Sequence, residues 1–292
     1  MVEFTEGEHN QEGYNPIGPV RRDFDRENIY REKGRAIIDD PDLQAFLTFL
    51  RGSVREGSLL NLGAGSTHWY YMPAVEDKVT CITAFDLSAK NIQALREFYQ
   101  ALKGEAATFQ YAEGRDVENL KTLIEAIARY KRYGQGRTPE GITRALVAKS
   151  LTPDGKADLI VGDYYDLDRS LGDRKFDNIM MTFAIFAPQG VHELTELPLF
   201  KQIRNHLNPQ GRLIIIDFQE FTEENIETFG EDPIVTQKYH TNLTIDQNSL
   251  RKALKKAGFE SVRVRKYIPG TEGSLEKEEG MIVILATAEA PQ

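Results

Sequence analysis

From Ser58 to Ala288 the sequence alternates short apolar runs with amphipathic helical patterns, and near the end that alternation breaks. Ser58 to Leu62, Val79 to Phe85, "ADLIVGD", "FDNIMMTFAIFA" and "GRLIIIDF" read as strands. A helix is predicted from Ala89 to Leu102, with Ile92, Leu95, Phe98 and Tyr99 on one face. Further helices are predicted over Pro198 to Leu207 and in "DQNSLRKALKKAG". Strands that alternate with helices form a mostly parallel sheet covered on both faces. The last two strands, "FESVRVRKY" and "GMIVILATA", have no helical pattern between them and are predicted to pair antiparallel. The second is continuously apolar, as a central strand is. The first places Arg263 and Arg265 on one side, which suits a sheet edge. The expected fold class is α/β: a doubly wound, mostly parallel sheet with one antiparallel strand near the C-terminus.

The remaining segments are read more coarsely. "DDPDLQAFLTFLRG" is an amphipathic helix, with Asp40 as cap, Pro41 in its first position and Gly52 as its stop. Asp23 to Gly34 reads as a charged helix behind a polar, acidic opening. "ATFQYAEG" is read as a short strand. Arg115 to Lys156 holds two helical patterns, "VENLKTLIEAIARYKRYG" and "TPEGITRALVAKSL", and is longer than a minimal βα repeat needs.

Charge and cysteine content exclude several function classes. The 292 residues carry 36 Lys and Arg against 45 Asp and Glu, a net charge of −9 that repels phosphate backbones. The single cysteine, Cys81, rules out an internal disulfide and lies in an apolar run, where an inert buried thiol is expected. The opening residues lack the basic start and apolar core of a signal peptide. No stretch approaches the roughly 20 apolar residues of a membrane helix. The expectation is a soluble, cytoplasmic protein with no nucleic-acid and no membrane partner, acting as a monomer or homodimer.

Ligands of open α/β sheets bind at the carboxyl ends of the strands. The first strand ends in "NLGAGST", whose glycines let the backbone approach a ligand. The second ends in Asp86, a carboxylate placed to accept both hydroxyls of a ribose. Two further strands end at Asp163 and Asp217. Each has a plainer reading. Asp86 can be only a helix cap, Asp163 the start of a turn, and Asp217 a solvated strand end. A nicotinamide dinucleotide fingerprint needs a third glycine three residues after the second, and that position is His68.

"LLNLGAGST", "AFDLS", "VGDYYD" and "FDNIMMTFAIF" resemble the successive motifs of class I S-adenosylmethionine-dependent methyltransferases, over about Leu43 to Ala288. The resemblance implies a Rossmann-like seven-stranded sheet and S-adenosyl-L-methionine as cofactor. A narrower likeness is to the nicotinamide, phenylethanolamine and thioether methyltransferases. It is carried by Asp86, Ser88 and Asn91, by a helical insertion over residues 113–156, and by Glu279 and Gly280. The same likeness makes residues 1–52 a helical lid and 53–292 the cofactor-binding domain. In "YNPIGPVRRDFDRENIY", Phe24 and Tyr30 take the places of the lid aromatics.

Carried over residue by residue, Gly63, Ala64, Gly65 and Thr67 hold the methionine end of the cofactor. Asp86 takes the ribose, framed by Leu87 and Asn91. Asp163 meets the adenine amino group and Tyr164 the ring, while Thr182 and Phe183 line the floor near the sulfonium. Tyr30 covers the cofactor and joins Asp217 as a candidate catalytic residue. The sequence departs from the family in Tyr164, where a small aliphatic residue is usual. It also lacks the Asn-Pro-Pro-Tyr signature of base and amide methylation.

The implied activity is methyl transfer to a small-molecule acceptor, an amine or other heteroatom nucleophile. The acidic, aromatic segment "FQEFTEENIETFGEDPIV" suits an acceptor with a cationic end. His192 and His240 are the candidate bases if a hydroxyl is the target, each with a surface role as the plainer reading. The five histidines are scattered without carboxylate partners, so no metal site is expected. Transfer or cyclisation of the aminocarboxypropyl arm, and a cofactor-binding subunit without activity, remain as alternatives.

Overall fold

The computed structural model describes residues 41–65, 68–105, 108–110, 114–129, 136–182, 184–185, 193–218, 245–267 and 283–291. The strands are β1 (Gly57–Leu62), β2 (Val79–Asp86), β3 (Leu159–Val161), β4 (Phe176–Thr182), β5 (Leu207–Phe218), β6 (Glu260–Tyr267) and β7 (Val283–Glu289). They form one seven-stranded sheet in the order β3-β2-β1-β4-β5-β7-β6. Neighbours from β3 to β5 pair parallel. β7 runs antiparallel to both β5 and β6, so it is the one reversed strand. This is the expected doubly wound, Rossmann-like arrangement.

Successive side chains of a strand point to opposite faces, and the core divides accordingly. Leu59, Met180 and Ile214 enter one apolar cluster, while Leu60, Met181 and Ile215 enter the other. The first cluster is covered by α1 (Pro41–Ser53), α2 (His68–Tyr71), α3 (Ala89–Leu102), α4 (Gly114–Arg129) and α5 (Pro139–Lys149). The second is covered by α6 (Leu167–Leu171), α7 (Leu199–Asn205) and α8 (Gln247–Lys256). Burial of both faces explains why the central strands read as unbroken apolar runs.

Local signals set most element ends. Ser88 caps α3, its side chain accepting the Asn91 amide, and Ile92, Leu95, Phe98 and Tyr99 are all buried on that helix. Thr138 caps α5 ahead of Pro139, and Asp246 caps α8. The longer connection between β2 and β3 contributes core residues, among them Leu120, Leu123, Ile127, Ile142 and Leu146. It is also tied by charge to the turn that leads into β2. Buried Glu76 pairs with Arg137 and, at 3.6 Å, with Lys149 at the end of α5.

Four expectations are corrected. Gly52 does not stop α1, which continues through it to Ser53. Residues 108–110 belong to no strand, so the described part of "ATFQYAEG" is not one. "ADLIVGD" yields only three strand residues, and Val161 at that sheet edge is 44% exposed. Cys81 is half-buried rather than buried. The other edge, β6, exposes Arg263, Arg265 and Lys266 while burying Val264, the charged edge the alternation predicts. The helix predicted over Asp23 to Gly34 and the cap Asp40 lie outside the described residues. No helix among the described residues is long and apolar enough to cross a membrane.

Candidate functional site

The carboxyl ends of β1 to β5 meet where the strand order reverses, between β1 and β4. The turn after β1 is left-handed at Gly63 (φ +70°) and Gly65 (φ +55°), a backbone that residues with a Cβ rarely adopt. It is held from β2. The amides of Gly63 and Ala64 both donate to the Phe85 carbonyl at 2.9 Å. The Gly65 amide donates to Asp86 Oδ2 at 2.7 Å.

Asp86 is 7% exposed and organises its surroundings. Its Oδ1 accepts the Ser88 amide at 2.8 Å and Asn91 Nδ2 at 3.0 Å. Its backbone carbonyl accepts the Gly162 amide at 3.0 Å. A carboxylate offers about four lone-pair sites. Donors among the described residues occupy three of them and leave about one, on Oδ2. Asp86 therefore joins Gly65, Ser88 and Asn91 in one constellation, with Leu87 half-buried beside it.

The other two strand-end aspartates also accept backbone amides. Asp163 Oδ1 takes the Tyr165 amide at 2.8 Å, and its carbonyl takes the Asp166 amide at 3.0 Å, which folds a tight turn. Tyr164, 6% exposed, stacks obliquely on Tyr165 with ring centroids 4.7 Å apart. Asp217 is fully buried, not solvated, and its Oδ2 accepts the Ile185 amide at 2.9 Å. Thr182, 5% exposed, closes β4. Tyr30, Phe24, Thr67, Phe183, His192, His240, Glu279 and Gly280 lie outside the described residues, as does the chain from 219 to 244.

Two relationships escaped the sequence reading. Asn61 Nδ2 donates to His68 Nδ1 at 3.0 Å, a buried bond that spans the glycine turn from β1 to α2. Burial pushes the His68 imidazole down to about 3, so it is neutral, and because the Asn61 NH2 can only donate, Nδ1 is the acceptor. Asn61 Oδ1 is buried with no donor among the described residues. The second is packing. A Cβ at position 63 would sit 2.5 Å from the Ala184 Cβ, so the segment after β4 lies directly against the turn. The only sequence signal for the first was a polar residue inside the apolar run before the glycines. Nothing local marked the second.

No family model and no curated protein matches this sequence. Solved structures with a similar course of chain include three S-adenosylmethionine-dependent methyltransferases. One from Thermotoga maritima is 13% identical, with a TM-score of 0.49 over 94% of this chain and 97% of its own. One from Archaeoglobus fulgidus is 11% identical, with a TM-score of 0.48 over 92% and 99%. Phosphoethanolamine N-methyltransferase 2 of Haemonchus contortus is 14% identical, with a TM-score of 0.48 over 97% of this chain but only 59% of its own. All fall below a TM-score of 0.5 and carry no argument about activity. The residues have to carry it.

Proposed function

We propose that this chain is an S-adenosylmethionine-dependent methyltransferase for a small-molecule acceptor, an amine or other heteroatom nucleophile. The observation that carries the reading is the Asp86 carboxylate. It holds the Gly65 amide of the glycine turn and keeps about one acceptor site for a ligand hydroxyl. A left-handed glycine turn anchored to a carboxylate at the switch point fits a nucleoside whose ribose hydroxyl reaches that carboxylate. His68, where a dinucleotide site needs glycine, is buried under the turn and does not free the backbone for a pyrophosphate.

Bound there, S-adenosylmethionine would supply an activated methyl group. The residues proposed to hold it are Gly63, Ala64, Gly65 and Thr67 at its amino-acid end, and Asp86, Leu87 and Asn91 at the ribose. Asp163 and Tyr164 serve at the base, Thr182 and Phe183 on the floor, and Tyr30 as a cover. Alignment is the main demand of such a displacement, and it can supply about 7–11 kcal/mol. An amine acceptor needs no base from the protein, whereas a hydroxyl does.

The test is a screen of amines, thioethers and hydroxylated metabolites with S-adenosylmethionine, read by mass spectrometry. Release of S-adenosylhomocysteine with a methylated acceptor is the expected result. Release of methylthioadenosine would assign the chemistry to the aminocarboxypropyl arm instead.

A further inference from the structure

The parallel ladder between β4 and β5 ends at Thr182 and Ile216. Beyond it, Ala184 and Ile185 belong to no strand. Asp217, the next residue of β5, holds this segment with its side chain, and Oδ2 accepts the Ile185 amide at 2.9 Å. Both groups are fully buried. A buried carboxylate is costly unless it receives hydrogen bonds, so this pair resists separation. Ala184, 2% exposed, is the residue whose Cβ abuts the glycine turn. That turn is held on its far side by the Phe85 carbonyl and the Asp86 carboxylate. One line of contacts thus runs from Asp217 through Ile185 and Ala184 to Gly63 and on to β2.

We infer that Asp217 is a positioning residue. It fixes the backbone at Ala184 and Ile185, and Ala184 in turn seats the turn that receives the S-adenosyl ligand. The inference rests on the proposed reading of that turn. It differs from the expectation that Asp217 contacts the acceptor, because a buried side chain that acts through a backbone amide needs an acceptor atom rather than a charge. Asparagine retains an acceptor oxygen of the same reach, and leucine has none.

The experiment compares the full-length protein with Asp217→Asn and Asp217→Leu. S-adenosylhomocysteine affinity is measured by calorimetry, and amide exchange over the segment containing Ile185 by mass spectrometry. Asp217→Asn should stay within threefold of the parent in affinity, with Ile185 still protected. Asp217→Leu should bind at least tenfold more weakly, with faster exchange in that segment. Equal loss in both variants, or no loss in Asp217→Leu, overturns the proposal.

If Asp217→Leu does not fold, Asp217→Ala, smaller and equally without an acceptor atom, replaces it. Asp217→Ala should bind at least tenfold more weakly with faster exchange at Ile185, and no loss overturns the proposal. Failure of the parent protein to bind S-adenosylhomocysteine would count against the methyltransferase reading instead. Exchange at Ile185 would still report whether Asp217 anchors that backbone.

Discussion

The Gly65 amide and Asp86 Oδ2 meet at 2.7 Å, and through that bond the end of β2 fixes the turn at the end of β1. Asp86 also takes the Ser88 amide and the Asn91 side chain, so one carboxylate organises three segments. Loss of hydrogen bonds to a charged group costs about 1.5–3 kcal/mol each. Asp86→Ala is therefore expected to weaken S-adenosylhomocysteine binding by about that amount, measured by titration calorimetry, and to lower the melting temperature of the empty protein. Unchanged affinity would remove Asp86 from the ligand's contacts.

The single acceptor site that the described residues leave on Asp86 gives a sharper expectation. Two ribose hydroxyls cannot both be received while all three internal donors stay in place. Of the 2′-deoxy and 3′-deoxy analogues of S-adenosylhomocysteine, one should lose at least tenfold in affinity and the other no more than threefold. Equal losses would mean that the carboxylate releases an internal donor on binding.

His68 makes stability depend on acidity. Its value falls from 6.5 unfolded to about 3 folded, so the unfolded chain binds the extra proton between those limits. Stability then drops as pH falls below 6.5, by about 1.4 kcal/mol per unit. Glu289 and Asp177 add to this at lower pH. Partial burial alone would raise both. Arg212 and Arg55 hold Glu289 down instead, and hydrogen bonds from Asn208 and Ser58 hold down Asp177. Their contribution is present above the ordinary carboxylate range and lost below it. Urea midpoints at pH 7.5, 6.5 and 5.5 should show the first phase in the parent protein and a flatter profile in His68→Phe. A profile unchanged by that substitution contradicts the assignment.

Glu76 ties the helical connection between β2 and β3 to the turn that leads into β2. Its side chain is only 2% exposed, while Arg137 and Lys149 are 23% and 26% exposed. Breaking a buried pair costs about 3–5 kcal/mol, and partial exposure of the cations places this case toward the lower end. Glu76→Ala should lower the urea midpoint accordingly and speed amide exchange in α5. Wild-type exchange there would show that apolar contacts alone hold the connection.

Much of the fold was legible because periodicity reports burial directly. The unbroken apolar run of β7 and the alternating charges of β6 announced a central and an edge strand, and the apolar face of Ala89–Leu102 marked that helix, although its cap is Ser88 and not Asp86. Gly52 misled because a single glycine near a helix end stops it only when the next residues also leave the helix. β3 was overestimated because "ADLIVGD" is apolar at an edge, where only three residues find partners. At the site, the three strand-end aspartates were visible but their partners were not. Asp86 with Gly65, and Asp217 with Ile185, join residues 21 and 32 positions apart. No local pattern encodes such pairings, so Asp217 read as solvated or substrate-facing although it is buried. His68 was noticed only as a missing glycine, since its bond to Asn61 depends on how the turn folds.

The most direct measurement is calorimetric titration of the wild-type protein with S-adenosylhomocysteine and, separately, with NADH. Saturable binding of S-adenosylhomocysteine is expected, with a rise in melting temperature that grows with its concentration, and no saturable binding of NADH. Binding of NADH with none of S-adenosylhomocysteine would contradict the methyltransferase reading.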